Sequence, residues 1–385
     1  MKENTVRVVL FDYVFDKPGI TGLSDLVWNW ARELIALGDE VHIVAPYSED
    51  VRPPAGTVVH RYPLPFIGYR NVIGHILIVL RGWWEIRKLG KVDLVHAPEY
   101  LSTGFFALLC KDTPVVLRVP GNIYERIAHG NPFDWSMTQV LKVAARLSAR
   151  HCACIIVTTQ EMRKWWGKTG TPESRMVLIP TGVDTEQFRP ISDARCLLGL
   201  PEHKRIVLYV GRLSHEKGVH DLLEAFHTVG ERFSDVDLHL VGDGPLRQQL
   251  GQLTAQLDME GRVIFHGWVD QPDLPAYYSA ADITVLPSFT EGMPRTMIEA
   301  LACGSPFVGT KITGIVDHVR DGETGYVVEP GDPVALAEKL AYVLTHEEEA
   351  QRVGRQGLDY VRQTLGWDAV VRQYREKVYT KIDRF

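Results

Sequence analysis

The sequence predicts an α/β protein built from two Rossmann-like domains, each a parallel sheet flanked by helices. Three observations carry this. Short apolar runs alternate with helix-length segments, and the alternation runs through the chain twice. The run Ile206–Val210 is continuously apolar, and Val6–Leu10 and Ile283–Leu286 are broken only by Arg7 and Thr284, the pattern of strands buried on both faces. Between the two series, residues 184–204 are polar and carry Pro190, Gly199 and Pro201, the composition of an interdomain connection. A chain of 385 residues is long enough for two domains of ordinary size.

In chain order, Val6–Leu10 is the first strand, followed by a loop with Pro18, Gly19 and Gly22. A helix from Leu23 to Leu37 stops at Gly38, and Val41–Ala45 is the second strand. The loop lacks the G-x-G-x-x-G pattern, and no acidic residue ends the second strand, so a nicotinamide cofactor is not expected. Val58–Tyr62 is a third strand. Residues 70–90 form an apolar, aromatic helix with Trp83, Trp84 and flanking cations, which either packs on its neighbour or lies against a membrane or lipid. Leu94–Ala97, Val115–Val119, Cys154–Thr158 and Met176–Ile179 complete the first series, with a basic helix at Thr138–Arg150. The second series comprises strand Ile206–Val210, helix Gly218–Val229, strand Leu238–Val241, a helix to about Leu257, strand Val263–His266 and helix Leu274–Ala280. Strands Ile283–Leu286, Pro306–Gly309 and Tyr326–Val328 follow, and residues 332–380 are mostly helical. In such sheets ligands bind beyond the carboxyl ends of the strands, here expected in a cleft between two facing domains.

Composition narrows the class. Apolar content of 45% and charged content of 23% are those of a globular protein. No basic-then-apolar leader is read at Met1–Leu10, and the greasiest run, Val72–Leu80, is too short to span a bilayer, so a cytoplasmic chain is expected. Five cysteines fit a reducing compartment; Cys152-x-Cys154 lies in an apolar strand without a second ligand pair and reads as core. Net charge is −6, but residues 1–190 hold 22 Lys+Arg against 19 Asp+Glu and the remainder 20 against 29. Arg61, Arg70, Arg81, Arg87, Lys88 and Lys91 face only Glu85 between 61 and 91. This asymmetry allows an anionic surface or substrate on the first domain; no nucleic-acid partner is expected.

The stretch that carries chemistry runs from Leu286 to Gly304. Gly292 and Pro294 keep the residues after the strand out of a helix, and Met297–Cys303 are helix-compatible, giving strand, turn and helix. Glu291 sits in the turn and Glu299 about one helical turn in. Amides at a helix start hold an anion, and carboxylates beside a phosphate make sense as hydroxyl binders, since like charges repel. The arrangement describes either a sugar diphosphate pocket or a capped turn with two surface glutamates. Asp235-Val236-Asp237 precedes a strand and reads as an exposed turn, and no His/Asp cluster has metal-site spacing.

At this point the chain resembles the retaining GT-B fold glycosyltransferases of family 4, over nearly its whole length and most strongly from about 176 to 345. Glu291 and Glu299 match that family's E-x7-E pair, and Gly211-Arg212-x4-Lys217-Gly218 its strand-end basic pair. Val241–Pro245, Asp321–Gly325 and Pro330-Gly331-Asp332 follow in the expected order. The resemblance implies an acceptor domain at 1–182, a donor domain at 183–365, and a C-terminal helix at about 366–385 that packs back on the first. It implies a nucleotide diphosphate sugar as donor, UDP- or GDP-linked, with no metal and no separate cofactor. Arg212 and Lys217 would hold the diphosphate and Glu299 the ribose. Glu291, with Gly292, Met293, Pro294 and Arg295, would meet the sugar and diphosphate. Gly267–Asp270 would meet the base, with Trp268 and Val269 at its centre; Trp268 either stacks on the base or packs. Gly22 matches the second glycine of a first-domain pair whose first member is Thr21 here.

One departure is larger. Many members have a histidine after the strand Val115–Val119, where this chain has Pro120, which has no side-chain donor. Arg118, Asn122, Arg126 and the turn His96–Tyr100 are the nearby candidates. The expected activity is transfer of a hexose to a hydroxyl of a glycan or lipid-linked acceptor, giving an α-linkage, with peripheral membrane contact through the first domain. The rivals are a nucleotide-sugar epimerase or a phosphorylase on the same fold, and a non-catalytic sugar-nucleotide binder.

Overall fold

The computed structural model describes residues 5–12, 22–46, 53–63, 72–97, 100–119 and 135–384. It divides into two units, residues 1–180 with 367–385, and residues 181–366. Each is a fully parallel sheet with helices, in keeping with strands that are mostly apolar.

Unit 1 holds strands β1 (Arg7–Phe11), β2 (Glu40–Pro46), β3 (Val58–Tyr62), β4 (Leu94–Ala97), β5 (Val115–Arg118), β6 (Cys154–Val157) and β7 (Met176–Leu178), in the order β3-β2-β1-β4-β5-β6-β7. Its helices are α1 (Gly22–Ala36), α2 (Val72–Lys88), α3 (Tyr100–Leu109), α4 (Trp135–His151) and α5 (Gln160–Lys168). Alternation along β1 builds two cores. Val8 and Leu10 join Leu26, Val27, Trp30 and Leu34 of α1 on one face. Val9 and Phe11 join Ile78 of α2, Phe106 of α3 and Ala145 of α4 on the other.

Unit 2 holds β8 (Arg205–Val210), β9 (Val236–Val241), β10 (Val263–Gly267), β11 (Ile283–Leu286), β12 (Phe307–Thr310) and β13 (Tyr326–Val328), in the order β10-β9-β8-β11-β12-β13. Its helices are α6 (Ala194–Leu197), α7 (Val219–Arg232), α8 (Arg247–Gln256), α9 (Leu274–Ala280), α10 (Arg295–Ala302), α11 (Thr313–Val316), α12 (Pro333–Thr345) and α13 (Glu347–Thr364). One large core spans both faces of this sheet.

After Gly366 the chain returns to unit 1 as α14 (Trp367–Lys377) and a short 3-10 segment, Tyr379–Arg384. Among the described residues, polar contacts help to hold it there. Arg375 donates to Asp39 Oδ2 at 3.0 Å, both side chains buried. Arg118 donates to the Tyr374 hydroxyl at 3.2 Å. His96 Nδ1 and the Tyr379 hydroxyl lie 2.5 Å apart.

One local expectation is corrected. Asp235 lies in a turn and is part-exposed, but Val236 and Asp237 are the first residues of β9, and Asp237 is buried. Arg205 grips Asp235 with two guanidinium nitrogens at 2.8 and 2.9 Å, and Lys204 reaches Asp237 at 3.0 Å. The cations that meet these carboxylates come from the start of the adjacent strand β8 and the residue before it, which sequence spacing does not reveal. Among the described residues no helix is long and apolar enough to cross a membrane.

Candidate active site

In unit 2 the strand order reverses between β8 and β11, which pair in parallel at Ile283↔Val207 and Thr284↔Leu208. Loops leaving the carboxyl ends of two such strands diverge to opposite sides and open a crevice, the ligand position of an open α/β sheet. The loop after β8 carries Arg212 and Lys217, and the loop after β11 carries Glu291 to Pro294.

Close backbone packing laces these loops together. Gly218, ahead of α7, has φ +64°, and a Cβ there would lie 2.1 Å from the Pro287 carbonyl oxygen. Only glycine meets both conditions at no cost. The Phe289 N–H donates to the Glu216 carbonyl at 2.9 Å, tying the loops a second time. Lys217 is thereby delivered to Glu291, with Nζ 2.5 Å from Oε1. The Ser288 hydroxyl donates to the same oxygen at 2.7 Å, and the Thr310 hydroxyl on β12 donates to the Ser288 carbonyl at 2.5 Å. Glu291 is therefore a held carboxylate with its side chain only 10% exposed.

Pro294 has extended backbone (ψ 124°) and precedes α10 without a side-chain cap of its own, so no N-cap side chain takes the first amides of that helix. Thr296 in the first turn donates to the Val210 carbonyl at 3.0 Å, pinning α10 to the end of β8. Glu299, one turn further, is buried. Its Oε2 accepts from the Tyr278 hydroxyl of α9 at 3.0 Å, and its Oε1 lies 3.4 Å from Nε of the exposed Arg295.

The remaining expected residues spread around this crevice or outside it. Arg212 is exposed, and its main-chain carbonyl accepts from the Tyr209 hydroxyl at 2.8 Å. Burial opposes ionisation of Glu216, but the Ser214 hydroxyl and a backbone amide, with the charges of Lys217 and Arg212, outweigh it and lower its pKa. Gly292 is backed by Gly314 of α11, where a Cβ would sit 2.1 Å from the Gly292 carbonyl oxygen. Met293 accepts the Thr181 N–H on its sulfur at 3.1 Å. Val269 packs against the core of unit 2, whereas Trp268, after β10, is 77% exposed and donates through Nε1 to Asp270 at 3.1 Å. Gly22 opens α1 in unit 1.

Around the Pro120 departure, Thr21, Pro98, Glu99, Pro120, Asn122 and Arg126 lie outside the described residues. Arg118 and His96 are buried and committed to Tyr374 and Tyr379. Among the described residues no cluster of three or more His, Cys, Asp or Glu is arranged to hold a metal ion.

Comparison with known proteins gives this geometry a family. A family model described as Glycosyl transferases group 1 matches residues 193–359, and one described as Glycosyltransferase Family 4 matches residues 20–187. A D-inositol 3-phosphate glycosyltransferase from Thermomonospora curvata is 33% identical over 95% of this chain and 92% of its own. The chain belongs to the family 4 glycosyltransferases. A GDP-mannose-dependent alpha-(1-6)-phosphatidylinositol monomannoside mannosyltransferase from Mycolicibacterium smegmatis is 28% identical, over 78% of this chain and 81% of its own. A sucrose-phosphate synthase structure from Thermosynechococcus elongatus superimposes with a TM-score of 0.80 at 22% identity, covering 98% of this chain and 99% of that one, which establishes the GT-B fold.

The family 4 protein is thus an enzyme, a glycosyltransferase that uses a nucleotide sugar. Sequence reasoning missed several residues that shape its crevice: Ser288, Thr310, Tyr278 and Thr296. Ser288 had a local signal, because Ser-x-x-Glu lets a hydroxyl reach a carboxylate three residues on. The other three act across strand and helix contacts that no spacing announces.

Proposed function

We propose that the enzyme is a metal-independent retaining hexosyltransferase that moves a sugar from a nucleotide diphosphate to an acceptor hydroxyl, forming an α-linkage. The observation that carries this reading is the laced crevice at the end of β8 and β11, where a lysine, a held carboxylate and uncapped helix amides converge. Amides of α10 and the cations Arg212 and Lys217 bind the diphosphate and stabilise it as leaving group. Glu299 accepts the ribose hydroxyls. Glu291 accepts hydroxyls of the transferred sugar, and its pairing with Lys217 places that sugar beside the bond that breaks. The departing phosphate oxygen takes the acceptor's proton on the face from which it leaves, so configuration is retained. Trp268 offers its exposed face to the base. The neutralising charge comes from side chains, and the Asp235 and Asp237 carboxylates are occupied by Arg205 and Lys204.

The named relatives point to GDP-mannose as first donor to try and to an inositol phosphate or its lipid form as first acceptor. On α2, Leu80 and Trp84 are exposed beside Arg81 and Lys88, which supports peripheral contact with an anionic membrane. Incubation with GDP-, UDP- and ADP-sugars and inositol phosphate or phosphatidylinositol acceptors, with and without EDTA, tests the whole. Nucleotide release that survives EDTA and an α-linked product are expected. Turnover that requires added metal, or an inverted product, overturns it.

A further inference from the structure

Tyr278 is one of the largest fully buried side chains of unit 2, yet its hydroxyl is spent on a residue of the crevice and not on the core. It rises from α9, packs on Phe188 with ring centroids 6.3 Å apart, and donates to Glu299 Oε2 at 3.0 Å. Glu299 belongs to the next helix but one strand on, so the contact joins α9 to α10 beneath the ligand edge of β11. A glutamate has three side-chain torsions, and an anion this buried needs a strong donor to hold one of them. Burial, followed by the adjacent Glu299 carboxylate, raises the phenol well above its ordinary pKa of 10, so the phenol keeps the proton it donates.

We infer that Tyr278 is the positioning residue for ribose recognition, fixing the Glu299 carboxylate through Oε2 so that the carboxylate meets the vicinal hydroxyls of a nucleoside diphosphate. This rests on the proposed ribose role of Glu299. The Tyr278 hydroxyl also meets Thr296 of α10, but the role of Tyr278 toward the ribose runs through Glu299, which makes it a positioning residue. Loss of its hydroxyl leaves the ring and its packing in place but lets the carboxylate reorient, and it weakens only the part of the affinity that the ribose hydroxyls provide.

The test is calorimetric binding of GDP and UDP, each compared with its 2′,3′-dideoxy counterpart, to the whole enzyme and to Tyr278→Phe, Glu299→Gln and the double variant. For the base that binds, the wild-type enzyme prefers the natural nucleotide. Tyr278→Phe is expected to lose about tenfold for it, the worth of one hydrogen bond to a charged group. Affinity for the dideoxy nucleotide is expected to stay within about twofold, and the double variant to be no worse than Glu299→Gln, because both changes remove one function. Equal weakening of both nucleotides by Tyr278→Phe, or additive effects in the double variant, overturns the inference while leaving the ribose role of Glu299 standing. A wild-type enzyme that does not distinguish the two nucleotides overturns that role and the inference with it. The same ratio read on Phe188→Leu is the packing control. That variant disturbs the packing of Tyr278 without removing the hydroxyl, and an unchanged preference with Phe188→Leu assigns any loss in Tyr278→Phe to the hydroxyl. A loss of preference with Phe188→Leu assigns it to packing and overturns the inference.

Discussion

At the scale of single residues, the pair Lys217–Glu291 makes the strongest demand. The two charges satisfy each other, so removing either leaves the other without that partner in a partly buried crevice. Glu291→Ala is expected to lower kcat by on the order of 10²-fold while nucleoside diphosphate affinity changes only a few-fold, since the carboxylate is assigned to the sugar. Steady-state kinetics beside calorimetric binding checks this, and equal losses in both measurements sink the assignment. Much of this pair was legible in the sequence. Arg212, Lys217 and Glu291 each follow a buried apolar strand within a few residues, and that is where an α/β sheet presents side chains to ligands. Their direct contact was not legible, because it depends on β8 and β11 being neighbours although two strands lie between them in sequence.

At the scale of elements, the crevice depends on glycines that let loops touch. Gly218→Ala imposes a left-handed backbone on alanine and drives its Cβ against the Pro287 carbonyl. A loss of about 1–3 kcal/mol in unfolding free energy by urea titration is expected, with a larger fractional loss of activity because Lys217 shifts with the loop. A fully active and stable variant is the contrary result. Proline and glycine punctuation made most elements readable. Pro294 stops the chain from entering α10 early, and the observed helix begins at Arg295. Where punctuation was lacking, the reading slipped: the start of β9 was placed two residues late because aspartates look like turn formers until Arg205 and Lys204 are seen beside them.

At the scale of the molecule, α14 is bound into unit 1 by a buried ion pair. Arg375→Ala leaves the Asp39 carboxylate, which also accepts the Val6 N–H at 3.0 Å, without its cation. A loss of about 3–5 kcal/mol is expected by denaturant titration, seen first as faster amide exchange in β1 and α14. Acid attacks the same seam. Burial, followed by the nearby Arg118 charge, holds His96 well below 6.5. Burial likewise lowers His239 and His318 of unit 2 to about 4. With folded values below the unfolded one, the unfolded chain binds protons first. Stability is therefore complete above about pH 6.5 and falls as pH drops below it. Urea midpoints at pH 7.5 and 5 check the sign, and a higher midpoint at pH 5 contradicts it. In His96→Gln the exchange of β4 and α14 is expected to depend less on pH than in the wild-type chain.

The return of α14 also sets an order of assembly. Residues 181–366 are contiguous, so that unit has all its parts once Gly366 has left the ribosome. The first unit begins synthesis earlier yet finishes later, because Trp30 at its centre waits for Tyr374 to pack 4.9 Å away. Nascent chains usually complete their domains from the amino terminus; here the later-made unit is the first able to close, and the earlier one spends the whole of that synthesis with its α14 seam open.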